Sequence, residues 1–83
     1  MRVYNFPLPH TITGIQDEVG VNMLKAQGYW TDKDIPAAIR ARMEAGEGFF
    51  GNGATLTKAD ADAVSDRAWA FIAGKLGLSW HNA

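Results

Sequence analysis

The stretch from Thr57 to Gly77 constrains the fold of this chain more than any other part of the sequence. Its apolar residues recur at helical spacing, at Ala61, Val64, Ala68, Phe71, Ile72 and Leu76. Thr57 is a suitable N-cap, and Asp60 three residues later completes a capping box. Gly77 suits the position just after a helix, where the backbone often turns left-handed. The pattern predicts a helix over 57–76 whose broad apolar face must be covered by the rest of the chain.

Two further helices are predicted, near 14–27 and 34–45. Gly28 and Gly46 supply the stops. Pro36 is compatible with the second helix only within its first turn. A glycine and two valines inside the first stretch leave a later start open. The apolar faces of these two helices contain Ile15, Val19 and Met23 in the first and Ile35, Ile39 and Met43 in the second.

Residues 1–12 favour an extended conformation, because two prolines there block a helix. This arm is expected to pack across the helices or to form a short edge strand. The predicted fold is therefore all-α or mostly α: a single small three-helix domain over 1–83, with an extended N-terminal arm and a helical core over 13–83. The core is predicted to contain Ile15, Val19, Met23, Ile35, Ile39, Val64, Ala68, Phe71, Ile72 and Leu76.

Composition limits the location of the chain. The 83 residues include no cysteine, so neither a disulfide nor a thiolate site can stabilise a core of this size. The first residues lack the apolar run of a signal peptide, and no apolar stretch approaches the length of a membrane span. The expected location is the cytoplasm, without membrane contact.

The charge balance argues against nucleic acid as the main partner. Eight Lys and Arg residues meet nine Asp and Glu residues, giving a net charge of −1, whereas nucleic-acid binders usually present a basic face. The alternative interpretation is a DNA-binding regulator resembling a helix-turn-helix protein, with contacts from Lys33, Arg40 and Arg42. Asp32 and Asp34 would then face phosphates at the start of the recognition helix, which disfavours this interpretation.

The sequence carries no convincing catalytic, cofactor or metal motif. The glycines at 46–51 match G-x-G-x-x-G, but the strand and helix of a dinucleotide site do not flank them. The spacing of Asp60, Asp62 and Asp66 is similar to a calcium loop, but a serine stands where that loop requires glycine. The two histidines, His10 and His81, are far apart in the sequence. We therefore expect a non-enzyme without cofactor or metal.

Aromatic residues are the more informative set. The chain has three Trp, two Tyr and four Phe residues, more than its core is expected to need. Phe49 and Phe50 in a glycine-rich loop, with Tyr29 and Trp30 at a turn, are the predicted protein-binding residues. The expected function is a protein-binding module acting as adaptor, assembly component or inhibitor, a type of small domain frequent among phage and mobile-element accessory proteins.

A second apolar face of the 57–76 helix consists of small residues. It contains Ala59, Ala63, Ala70, Ala73 and Gly74. Alanine is the best helix former, so this face need not be covered. The alternatives are that another helix of the chain packs there, or that a homodimer forms through Ala59, Ala63, Ala70 and Gly74.

Overall fold

The computed structural model describes residues 1–13, 20–46 and 53–83. Over these residues the chain forms four helices and two small antiparallel sheets, so the fold is α/β. In chain order the elements are β1 (Arg2–Tyr4), β2 (His10–Thr11), α1 (Val21–Ala26), α2 (Ala37–Glu44), β3 (Thr55–Leu56), α3 (Lys58–Ala63), α4 (Asp66–Leu76) and β4 (Trp80–Asn82). The prediction of a mostly helical, three-helix domain is therefore wrong.

The first sheet joins the two ends of the sequence. β1 pairs with β4, with Arg2 opposite Asn82 and Tyr4 opposite Trp80. The amide of Asn5 continues the pairing by donating to the carbonyl of Ser79 at 3.0 Å. The N-terminal arm is thus a paired strand. The C-terminal residues Trp80–Asn82 supply the partner strand.

The second sheet pairs β2 with β3, and Thr11 lies opposite Thr55. Next to it the amide of Ile12 donates to the carbonyl of Ala54 at 2.8 Å, and the amide of Gly53 donates to the carbonyl of Ile12 at 2.7 Å. These bonds bring Ile12, which is 2% exposed, into the core. The predicted arm over 1–12 thereby contributes to both sheets.

The predicted helix over 57–76 is two helices. Val64 and Ser65 between α3 and α4 are extended, with ψ of 153° and 159°. The Ser65 side chain accepts a bond from the amide of Ala68, so it caps α4 as Thr57 caps α3. The predicted Thr57 cap is confirmed. So is the stop at Gly77, which has a left-handed φ of 70°.

The other helices are shorter than predicted. α1 begins only after Gly20, whose backbone is extended, and residues 14–19 lie outside the described part of the chain. α2 begins after Pro36, because residues 31–35 form a separate turn. The predicted stops at Gly28 and Gly46 are confirmed by their φ values of 82° and 81°.

The core draws on the four helices and β3 of the described chain, and on residues next to these elements. Its buried apolar residues are Ile12, Leu24, Ile35, Ile39, Met43, Leu56, Ala61, Val64, Ala68, Trp69, Ile72 and Ala73. Of the predicted core, Met23, Phe71 and Leu76 are only half-buried, and Ile15 and Val19 lie outside the described residues. Leu24 is buried in place of its neighbour Met23 because the short α1 presents a different face inward.

Trp69 is completely buried. Tyr4 and Trp80, from the paired ends of the chain, contact its ring edge-on at 5.4 and 6.4 Å between centroids. Phe6 stacks on it at 6.4 Å. The first sheet therefore covers this ring.

α4 is the longest helix that the structure describes, with 11 residues. A transmembrane helix needs about 20 apolar residues. None of the described helices has the length and apolar character needed to cross a bilayer.

Candidate functional site

The buried carboxylate of Asp34 holds the side chain of Arg67 in place at the protein surface. Asp34 is 1% exposed. It accepts bonds from Arg67 Nε at 2.8 Å, Arg67 Nη2 at 2.5 Å, Ser65 Oγ at 2.7 Å and Thr31 Oγ1 at 3.1 Å. The Arg67 guanidinium, helped by both hydroxyls, holds the pKa of Asp34 well below its usual range although burial acts in the opposite direction.

This junction ties the turn before α2 to the start of α4. The amide of Ser65 also donates to the carbonyl of Asp34 at 2.9 Å, so backbone and side chain act together. Asp34 therefore neither caps α2, which begins after Pro36, nor faces a partner, because its carboxylate points inward. Its partner Arg67 has a side chain that is 59% exposed and is held in place at the surface.

Arg67 begins a row along the outer side of α4. Phe71 and Lys75 follow at intervals of four residues, which places the three side chains on one face. The Tyr29 ring packs on Phe71 at 5.5 Å. The guanidinium of Arg67 lies 5.3 Å from the Tyr29 centroid, and Lys75 Nζ lies 5.9 Å from that of Phe71. Both rings are half-buried, so each also supports the core.

The next aromatic side chain along the turn repeats this arrangement. Trp30 follows Tyr29 directly and is half-buried, and Lys25 Nζ of α1 lies 5.9 Å from its ring centroid. Three aromatic rings therefore each hold a cation at a distance typical of cation–π contacts. We call this surface the cation–aromatic face, formed by Lys25, Tyr29, Trp30, Arg67, Phe71 and Lys75.

Charges elsewhere on the described surface are largely paired. Arg2 and Asp66 lie 2.6 Å apart, Lys58 and Asp62 2.6 Å, and Arg42 and Asp60 2.8 Å; Arg40 pairs with Asp32. Within the described chain, by contrast, no carboxylate lies within 4.0 Å of Lys25 or Lys75. The cation–aromatic face thus carries positive charge on a chain whose net charge is −1.

The structure brings two of the four predicted protein-binding residues onto this face. Tyr29 and Trp30 lie there, half-buried and flanked by cations. Phe49 and Phe50 lie outside the described residues. Sequence reasoning missed Arg67, Phe71 and Lys75, although their four-residue spacing was available as a signal. It assigned Phe71 wholly to the core.

The residues of the nucleic-acid alternative are mostly engaged within the chain. Arg42 forms a bidentate pair with Asp60 at 3.1 and 2.8 Å, which is the main cause of the lowered pKa of Asp60. Arg40 Nε donates to the carbonyl of Ile35 at 3.0 Å. Lys33 is exposed in the turn before α2. The three cations do not form one continuous basic surface, because two of them neutralise neighbouring aspartates.

The small-residue face is divided between two helices. Ala59 and Ala63 lie on α3, Ala70 and Gly74 lie on α4, and all four are exposed. Ala73 is buried and belongs to the core. The extended residues at the α3–α4 junction interrupt the stripe, which is therefore not the continuous surface that a single helix would present.

The remaining polar groups form no evident centre of chemistry. An open cleft of about 430 Å³ is lined by Met1, Arg2, Lys58, Asp62, Asp66 and Asn82. Its two carboxylates are paired with Lys58 and Arg2, and the Lys58 ammonium is the main cause of the lowered pKa of Asp62. Across the described ranges, no three side chains of the metal-ligating types converge.

The two histidines belong to different strands. His10, in β2, packs against the Phe6 ring at 5.8 Å. His81, in β4, has its Nδ1 3.1 Å from the side-chain nitrogen Nδ2 of Asn5. Each histidine therefore has its own local contact within one of the two sheets.

Comparison of the chain with known protein families, curated proteins and solved structures finds no match. The cation–aromatic face is therefore the basis of the function proposed below.

Proposed function

We propose that this chain is a non-catalytic protein-binding module, an adaptor, assembly component or inhibitor, that acts through the cation–aromatic face. The observation that carries the proposal is the grouping of three half-buried rings with three cations around the turn that follows α1 and along the outer side of α4. Aromatic and arginine side chains are the types that contribute most to protein interfaces.

The way this face is built suits recognition. Arg67 is anchored by buried Asp34, and Tyr29 and Phe71 are anchored by the core. These side chains therefore lose little conformational freedom when a partner binds. Ala70 and Gly74 lie beside them, and a Cβ placed on Gly74 would meet no atom within 4 Å. A partner can therefore approach the outer side of α4 closely.

The DNA-binding alternative receives less support. Arg40 and Arg42 would have to leave Asp32 and Asp60 before contacting phosphates. Because these two arginines already pair with aspartates of the chain, they count against DNA binding, as the net charge does.

Affinity capture from an extract of the source cells tests the proposal. We expect wild-type protein to retain one or a few specific partners and Ala70→Glu to lose them, because a carboxylate would then stand beside the cations of the face. Ala59→Glu is the matched control, since Ala59 is equally a small exposed helical residue but lies on α3. Circular dichroism establishes that both variants fold. Retention of the same partners by folded Ala70→Glu would reject the assignment of the face.

A further inference from the structure

We infer that the partner presents an acidic segment to the cation–aromatic face, with apolar side chains among its carboxylates. This inference rests on the proposed function and specifies the chemistry of the partner. It depends on two features of the face. Lys25 and Lys75 pair with no carboxylate of the described residues, and aromatic rings position the cations.

The charge of the face points outward. Its cations are Lys25, Arg67 and Lys75, and the acid that pairs with one of them, Asp34, is 1% exposed and accepts its bonds inside the molecule. A partner therefore meets the cations without meeting a carboxylate of the junction. Carboxylates of the partner would pair with these cations, which favours association and sets the orientation of the bound partner.

The aromatic rings hold the cations where a partner would meet them. The three charged groups lie 5.3 to 5.9 Å from ring centroids. The same arrangement places apolar ring surface between the charges. A segment that alternates carboxylates with leucine or phenylalanine side chains would match both components.

Nucleic acid fits this face less well. Binding of single strands relies on bases stacking on open aromatic faces. Here Tyr29 is contacted by Phe71 and by Arg67, and Lys25 lies at the ring of Trp30. Bases would have to displace these groups. We therefore assign the face to an acidic protein segment, and nucleic-acid binding becomes an outcome of the test.

Fluorescence anisotropy with three labelled probes tests the inference on the full chain. The probes are a peptide of about 12 residues alternating Glu and Asp with Leu and Phe, the same peptide with Gln and Asn as uncharged replacements, and oligo-dT of equal length. We expect the acidic peptide to bind at least about tenfold more tightly than the amide peptide. Equal affinity for the two peptides, failure of the acidic peptide to bind, or tighter binding of oligo-dT would overturn the inference.

Substitutions assign the binding to the face. The double variant Lys25→Gln with Lys75→Gln should weaken binding of the acidic peptide by at least about fivefold, whereas Lys58→Gln should not. Lys58 is the matched control because it is an exposed lysine that already pairs with Asp62. Equal binding by wild type and the double variant would show that the peptide binds elsewhere, and would overturn the inference.

Different outcomes would reject the acidic partner and the proposed function. If a native partner is lost with Ala70→Glu but retained by the double lysine variant, the face is the binding site and the acidic partner is wrong. If folded Ala70→Glu retains the native partner, the proposed function itself is wrong at this face, and the inference about its partner fails with it.

Discussion

Replacing Asp34 by asparagine should destabilise the protein more than any other change of a single acidic side chain in the described chain. The substitution preserves shape but removes the charge that accepts four bonds, two from Arg67 and one each from Ser65 and Thr31. Breaking a buried ion pair typically costs about 3–5 kcal/mol. Because the Arg67 side chain is 59% exposed and regains water, we expect about 2–3 kcal/mol here.

Thermal or urea unfolding followed by circular dichroism measures this loss. For a domain of this size the expected change corresponds to a decrease in Tm of roughly 10–20 °C. Asp32→Asn is the matched control from the same turn, because the Asp32 side chain is 84% exposed and paired only with Arg40. Its free energy of unfolding should change by no more than about 0.5 kcal/mol.

The pH dependence provides a second check. The folded-state pKa of Asp34 lies below its unfolded value, so its contribution to stability is fully present above about pH 5 and is lost as the pH falls toward the folded-state pKa. The difference in unfolding free energy between wild type and Asp34→Asn should therefore narrow between about pH 5 and pH 2. A variant as stable as wild type at pH 7, or a difference that does not change over this range, would refute the reasoning.

Three other pairs of substitutions test the helix boundaries and the core. Gly77→Ala should cost about 1 kcal/mol because its φ is 70°, whereas Gly74→Ala, inside α4 with open space around it, should stabilise by up to about 1 kcal/mol; equal effects in urea unfolding would contradict the left-handed cap. Ser65→Ala should cost about 2 kcal/mol, more than Thr57→Ala at about 1 kcal/mol, since Ser65 also donates to Asp34; a single continuous helix would reverse this order. Trp69→Ala should cost about 4 kcal/mol and Trp30→Ala much less, and comparable losses would mean that Trp69 is not the centre of the core.

Local signals in the sequence predicted local features of the fold. Thr57 and Gly77 were identified correctly because capping depends on residues within one turn of the helix end. The break before α4 carried a similar signal, a serine followed by an aspartate, but the continuous apolar pattern outweighed it. Apolar periodicity cannot distinguish one helix from two when the residues at the junction are themselves buried, as Val64 is.

The strands and the candidate site depended on contacts between distant residues. The strands contain two or three residues, too few to show an alternating pattern, and β1 pairs with a strand at the other end of the sequence. The pairing of Asp34 with Arg67 likewise joins residues 33 positions apart. Tyr29 and Trp30 were recognised by residue type alone, and their grouping with Phe71 and Lys75 required the packing of α4 against the turn.

The pairing of β1 with β4 has a consequence for the order of folding. During synthesis, the strand at Arg2–Tyr4 leaves the ribosome long before its partner at Trp80–Asn82. Until then Trp69 lacks two of its covering rings, Tyr4 and Trp80, and its indole is exposed to other chains. Contacts of such high sequence separation slow folding, so the helices should form before the sheet that joins the ends. Nascent chains of this protein therefore expose Trp69 to association with other chains until the strand at Trp80–Asn82 has emerged.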